Sequence, residues 1–225
     1  MLKIKKIIPL FLSGFKSLYV NFRFLPFHEA IHFPLYVHYK AHVRVSRGSF
    51  VFETPIRRGL VHLGFQKLPI IDENAETSIE VSPKGKIIIG GTAFMGRGSK
   101  LIVPGGRLSL GNHFFMTGFS SVVCSHRIEF GRNTLCSWEC LIKDGDGHPV
   151  FDAIGNHCNS DKPIIVGDNV WIGCRCTIWK GTVIPSDCVI GTGSLLAGGK
   201  FSPHTVIAGH PAKSVKEIKG WAHKL

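Results

Sequence analysis

Two carboxylates and an imidazole crowd one short stretch of this sequence: Asp144, Asp146 and His148, within Ile-Lys-Asp-Gly-Asp-Gly-His-Pro (142–149). An imidazole titrates near neutral pH, so it can take a proton from a weak nucleophile such as an alcohol and return it to a leaving group. A carboxylate on the far ring nitrogen would fix the tautomer and steady the cation. Asp144 and Asp146 both stand near enough in sequence for that task. Either also suits binding of a polyhydroxylated substrate, and acids set among glycines often do no more than shape a turn. Trp138, a few residues earlier, is a flat apolar surface on which a ring-shaped ligand can stack, and Glu139 beside it is a candidate polar contact.

What positions these residues is a repeat. Val166, Ile172, Ile178, Ile184, Ile190 and Leu196 recur every six positions without a miss. The residue after each is Gly167, Gly173, Trp179, Pro185, Gly191 or Ala197, mostly small or turn-forming. Two positions before each stand Ile164, Val170, Cys176, Thr182, Cys188 and Ser194. Neither the helical period nor the strand period yields a strict six. A three-sided solenoid does, with one aliphatic residue filling each flat face and a small residue beneath each corner. Cys176 and Cys188 then serve as small apolar fillers rather than as redox or metal groups. Looser copies at 81–90, 102–111 and 122–131 extend the pattern upstream. The next copy opens at Ile142 but reaches its glycine only at Gly167, so an extra loop, 143–163, interrupts it and carries His148. Insertions in repeat arrays mark loops on one face, often the binding face.

Composition narrows the partners. The chain of 225 residues has a formal charge of +12, with +7 in 1–75, +1 in 76–163 and +4 in 164–225. Such a balance favours anionic partners, meaning phosphorylated cofactors or an acidic membrane surface. Nucleic acid is not expected, because no common binding module is readable and the aromatics do not interleave with the basic residues. Seven cysteines without a CxxC pair, and no signal peptide, suit reduced thiols in the cytoplasm. Before residue 79 no hexad is visible. Residues 1–75 read as a basic extension: an N-terminal helix that starts at Pro9, its apolar stripe including Ile4, Phe11, Phe15 and Phe22, then short strands and turns over 40–75 that lead into the first coil. The stripe is expected to dock on the open end of the solenoid, as arrays require. The alternative is contact between residues 1–23 and an anionic membrane at the inner face of the cytoplasmic membrane. Residues 76–210 form the repeat domain, and 211–225 read as a short helix and tail.

The stretch Val-Gly-Asp-Asn-Val-Trp-Ile-Gly (166–173), its following hexads and Ala-Gly-His-Pro-Ala-Lys (208–213) resemble the hexapeptide-repeat acyltransferases. Within that family the chain is most similar to galactoside/maltose O-acetyltransferases and to bacterial surface-polysaccharide O-acetyltransferases. The resemblance implies a mainly β fold, a left-handed parallel β-helix with an N-terminal extension and a C-terminal helix, assembled as a homotrimer with active sites between neighbouring solenoids. It implies acetyl-CoA as cosubstrate, no metal, and a sugar or glycan as acceptor. His148, in its His-Pro, matches the family's catalytic base, and Asp144 and Asp146 match an Asp-x-Asp-x-His pattern. Trp171 falls beside the acetyl-CoA channel, Cys174, Thr192 and Ala197 along it, and Ala208, Lys213 and Lys216 in the segment whose basic residues meet the coenzyme's phosphates. Lys200 closes a Gly-Gly-Lys that replaces the family's usual Thr-Lys-Asp, which alters the donor contacts expected there. Three other readings share the fold: an amino-sugar N-acyltransferase, a serine O-acetyltransferase, and a zinc hydrolyase of the carbonic anhydrase kind. The last needs three converging histidines, and the spacing of His148 and His157 does not suit it.

Overall fold

A computed structural model describes residues 2–65, 72 and 74–222, with side chains from Ile8 onward. Apolar residues spaced by six require a chain that turns a corner about every six residues, and three faces of short parallel strands result. The first face holds β1 (Leu35–Val37), β4 (Val61–Leu63), β7 (Ala93–Met95), β10 (Phe114–Met116), β13 (Leu135–Cys136), β16 (Trp171–Ile172), β18 (Val189–Ile190) and β20 (Thr205–Gly209). The second holds β2 (His42–Val45), β5 (Ser78–Val81), β8 (Lys100–Val103), β11 (Ser121–Val123) and β14 (Leu141–Lys143), and the third β3 (Phe50–Phe52), β6 (Lys86–Ile89), β9 (Arg107–Leu110), β12 (Arg127–Phe130) and β15 (Ile164–Val166). Two longer strands, β17 (Thr177–Ile184) and β19 (Leu195–Lys200), run through the corner from the second face onto the third.

The six hexad aliphatics all point inward and are at most 2% exposed. Burying each completely contributes about 1.5–3 kcal/mol. In-register pairing stacks them into columns, as with Ile142, Ile178 and Leu196 on the second face. Cys176 and Cys188 are buried as fillers, and the Cys176 thiol reaches the Gly191 carbonyl at 3.1 Å. The corners are held by polar ladders: the Asn133 side-chain amide donates to that of Asn169, and Asn169 donates to the Asp187 carboxylate, both at 2.7 Å. At the same corner a Cβ on Gly111 would strike the backbone of Gly131, so only glycine lets successive coils stack there.

The structure departs from the sequence reading in four places. The solenoid begins at Leu35, well before residue 76, because β1 pairs in register with β4 and β4 with β7. The expected C-terminal helix is instead a strand, β21 (Ala212–Glu217), which turns back at Gly209 and pairs antiparallel with β20. It hydrogen-bonds the exposed edge of the last coil, which a helix could not do. The N-terminal helix, α1 (Leu2–Phe24), contains Pro9 rather than starting at it.

The fourth departure is the docking face of α1. The side chains that meet the edge of the solenoid are polar, Ser13, Ser17 and Asn21, one turn apart, while Val20 and Phe24 beside them pack on the core. Asn21 accepts from the Leu35 N–H at 3.2 Å and donates to the Leu35 carbonyl at 2.7 Å. Ser17 accepts from the Val37 N–H at 2.9 Å, and Ser13 from the Tyr39 N–H at 3.1 Å. This ladder satisfies the free edge of β1, whose orphan backbone groups are costly when buried. The aromatic stripe, including Phe11, Phe15 and Phe22, faces outward. The side chains of Lys3, Ile4, Lys5, Lys6 and Ile7 lie outside the described residues.

Candidate active site

The inserted loop leaves β14 on the second face and returns to β15 on the third. It forms a small hairpin flap, closed by an antiparallel bridge between Phe151 and His157. At its tip the Asp152 carboxylate accepts from the backbone N–H groups of Ile154 and Asn156 at 3.0 and 2.9 Å. At its root, Asn159 staples the two arms: its side chain accepts from the Val150 N–H at 2.6 Å and donates to the Asp146 carboxylate at 2.7 Å and the His148 carbonyl at 2.8 Å. Gly145 lets the Asp161 carboxylate lie against this turn, since a Cβ there would push that side chain aside.

The two acids have different places. Asp144 is fully buried, and its carboxylate accepts from the backbone N–H groups of Ser125 at 2.7 Å and His126 at 2.9 Å. It ties the flap's root to the coil below and lies apart from the cleft that His148 lines. Asp146 lines that cleft with His148 and accepts from Lys180 Nζ at 2.6 Å, the Trp179 indole N–H at 3.0 Å and Asn159. Lys180 also donates to the Asn159 carbonyl at 2.6 Å. Neither acid meets the His148 ring, and among the described residues no group hydrogen-bonds to that imidazole. The carboxylate partner expected for the ring is therefore not formed in this arrangement.

Lys180, followed by Asn159 and Trp179, draws the Asp146 carboxyl down from 3.8 to about 2. A depressed acid favours the folded state fully above its unfolded value, and that contribution fades as pH falls from 3.8 toward about 2. Asp146→Asn should therefore flatten the pH dependence of flap protection across this window, read by amide hydrogen exchange of residues 144–163. An unchanged acid limb would contradict the Asp146–Lys180 anchor.

The cleft has a volume of about 460 Å³ and opens to solvent along the flap, reaching Ser125 at the corner between the second and third faces. Ser125, Asp146, His148, His157, Asn159 and Asp161 line it. Trp179, Lys180 and Asn159 were not singled out by sequence reasoning as site residues. Trp179 did leave a signal, as the one bulky residue where the other hexads carry glycine, proline or alanine.

The remaining candidates lie elsewhere. Trp138 and Glu139 sit at the corner between the first and second faces, one coil below Cys174 and Arg175. Glu139 is engaged by Arg175 at 2.6 Å, and the Trp138 carbonyl accepts from the Arg175 N–H. Cys174 and Thr192 stack on this corner, Sγ to Oγ1 3.5 Å. Trp171 lies on the first face, 39% exposed, with its indole N–H on Ser137 Oγ at 3.1 Å and Trp221 packed beside it. Ala208 pairs with Lys213 there, and Lys216 with Val206, both lysines exposed. Ala197 pairs with Trp179 on the second face, beside the flap's root, and Lys200 pairs with Val183 on the third. One chain thus brings Asp146 and His148 together, with Ala197 near the flap's anchor. Trp138, Glu139, Trp171, Cys174, Thr192, Ala208, Lys213 and Lys216 stand on the other side of the second face. Among the described residues no three His, Cys, Asp or Glu side chains converge as metal ligands.

No protein-family model matches the chain. It is 30% identical to the galactoside O-acetyltransferase of Escherichia coli K12 over 51% of this chain and 56% of that protein. It is 33% identical to a polysialic acid O-acetyltransferase of Escherichia coli O1:K1 over 56% of this chain and 39% of that one. The chain thus spans about half the length of these curated relatives. Among solved structures, the polysialic acid-specific acetyltransferase NeuO superposes with a TM-score of 0.51 at 22% identity, covering 82% of this chain and 86% of that one. AntD, an N-acyltransferase from Bacillus cereus, superposes with a TM-score of 0.50 at 13% identity, covering 82% and 80%. These structural likenesses are of architecture, the left-handed parallel β-helix of hexapeptide-repeat acetyltransferases.

Proposed function

We propose that this protein is an acetyl-CoA-dependent O-acetyltransferase that esterifies a sugar hydroxyl, with His148 as general base. The observation that carries the reading is the flap: an exposed histidine backed by a rigid anchor of Asn159, Asp146 and Lys180, beside an open cleft. The curated relatives, which are galactoside and polysialic acid O-acetyltransferases, support both the transferred group and the acceptor class.

Acetyl-CoA would supply an acetyl group activated as a thioester. His148 would take the proton from the attacking hydroxyl as the new C–O bond forms, then return it to the departing sulfur as the C–S bond breaks. Asp146 acts through the flap's shape rather than through the ring. The donor candidates suit an extended, slender arm ending in phosphates: Cys174, Thr192, Ala197, Gly198 and Gly199 are small, and Lys200, Lys213 and Lys216 offer exposed charge.

Of these donor groups Cys174, Thr192, Lys213 and Lys216 lie across the second face from His148, so a site that uses both is built from two subunits. That separation supports the homotrimer. So does the outward column of the first face, where Tyr36, His62, Phe94, Phe115, Leu135 and Trp171 stack in register, an apolar strip suited to a subunit contact. The acceptor is read as a hydroxyl of a bacterial surface polysaccharide or its precursor, modified in the cytoplasm.

The test is release of free thiol from acetyl-CoA with a panel of neutral sugars, sialosides and amino sugars. An alkali-labile product with a hydroxyl acceptor is expected. An alkali-stable amide as the only product would assign N-transfer instead, and the absence of thiol release above hydrolysis with every acceptor would overturn the proposal.

A further inference from the structure

We infer that the outward face of α1 is a docking surface for an anionic lipid bilayer, on which the helix lies flat. The inference starts from the inverted amphipathicity of α1. Its polar residues Ser13, Ser17 and Asn21 are consumed by the edge of β1, which leaves the apolar side without a partner in the chain. Phe11 and Phe15 are 65% and 57% exposed, and Tyr19 is 57% exposed. The strip continues past the helix end through Phe27 and Ile31, 70% and 51% exposed. At about 100° per residue, Phe11, Phe15, Leu18 and Phe22 fall within a sector of about 60° on the side away from the serine ladder. Soluble monomers rarely leave so continuous an aromatic patch in water.

Charge selects the occupant. The first 24 residues carry five basic side chains, Lys3, Lys5, Lys6, Lys16 and Arg23, and no acidic one. Ile8, Tyr19 and Leu12, all exposed, continue the apolar side around the helical wheel, and Lys16 and Arg23 border it there. Aromatic and aliphatic residues on one side with lysine and arginine at the border is the pattern of a helix in the bilayer interface, where the rings enter the acyl boundary and the cations meet phosphate groups. A second copy of the same helix would instead bring like charges together. No helix among the described residues is long and apolar enough to cross a membrane, so contact is along the surface.

The geometry gives the contact a direction. Strand edges in a solenoid face along its axis, and α1 covers the first edge. Its free face therefore points away from the body along that axis, and the solenoid stands on the bilayer with its coils stacked outward. This inference is independent of the acetyl-transfer reading.

The experiment is cosedimentation of the full chain with vesicles of equal parts phosphatidylglycerol and phosphatidylcholine, and with vesicles of phosphatidylcholine alone. Binding to the anionic vesicles, weakened by salt, is expected. The triple variant Phe11→Ser/Phe15→Ser/Phe22→Ser should lose roughly a hundredfold or more in partition coefficient. Lys16→Glu/Arg23→Glu should lose the preference for anionic lipid. Circular dichroism melts establish that each variant is folded, since none of the changed residues contacts β1 through a hydrogen bond. Equal binding by wild type and the triple variant would overturn the inference. So would failure of the wild type to bind, with light scattering showing association that the triple variant abolishes, because the face would then belong to a second copy.

Discussion

His148→Ala is expected to slow acetyl transfer by about 10²–10⁴-fold, the contribution of a placed general base, with little change in the unfolding temperature. The side chain is exposed, and among the described residues its ring makes no hydrogen bond. Its removal therefore leaves no buried group unsatisfied, and the flap keeps its anchors through Asn159 and Lys180. The effect should fall on kcat more than on KM, because the ring acts on a proton in flight rather than on the resting substrates. Activity within threefold of wild type on an accepted sugar would remove His148 from the chemistry. A variant with wild-type kcat and a raised KM would reassign the ring to acceptor binding.

The largest effect on stability is expected at the other end of the molecule. Asn21→Ala would strip the partners from both the N–H and the carbonyl of Leu35, which are buried against α1. Leaving a buried polar group unsatisfied costs about 1–3 kcal/mol, so the pair amounts to roughly 2–6 kcal/mol. Asn21→Ser, short of the strand but still polar, should recover little. Because each coil of a solenoid contacts only its neighbours, the loss should begin locally. Hydrogen exchange at Leu35 and Val37 should accelerate before urea unfolding of the later coils shifts. Unchanged exchange at those amides would show that the side-chain ladder does not hold the edge.

Both results trace back to how the sequence advertises itself. The strict six-residue recurrence from Val166 to Leu196 made the later coils plain, because each face there takes one inward aliphatic and each corner one small residue. The same columns continue below. Phe114 pairs with Ala93 on the first face, but Ala93 pairs with Val61, thirty-two positions earlier, and Val61 with Leu35, twenty-six earlier. Longer connections between those coils erase the period, so the first of them stayed hidden. In α1 the loud signal, an aromatic stripe, pointed to the wrong face. The quieter one, Ser13, Ser17 and Asn21 at four-residue steps, matched the needs of an unpaired strand edge, a demand visible only once β1 was known to be terminal. The C-terminal Lys-Ser-Val-Lys-Glu carries good helix formers, yet the last coil also has a free edge, and pairing it prevailed over propensity. At the site, the insertion and its histidine were legible from the broken period. The role of Asp146 was not, since its partner Lys180 stands thirty-four residues away and meets it only through coil stacking.

The anchoring of the flap also has a bearing on biosynthesis. The amine and indole that grip Asp146 belong to the coil that follows, so a nascent chain released only as far as Val166 holds the hairpin and its Asn159 staple but not the groups that tie it to the body. The ribosome must deliver Trp179 and Lys180 before the histidine's loop is fastened to the coils, so its docking trails the synthesis of its own residues.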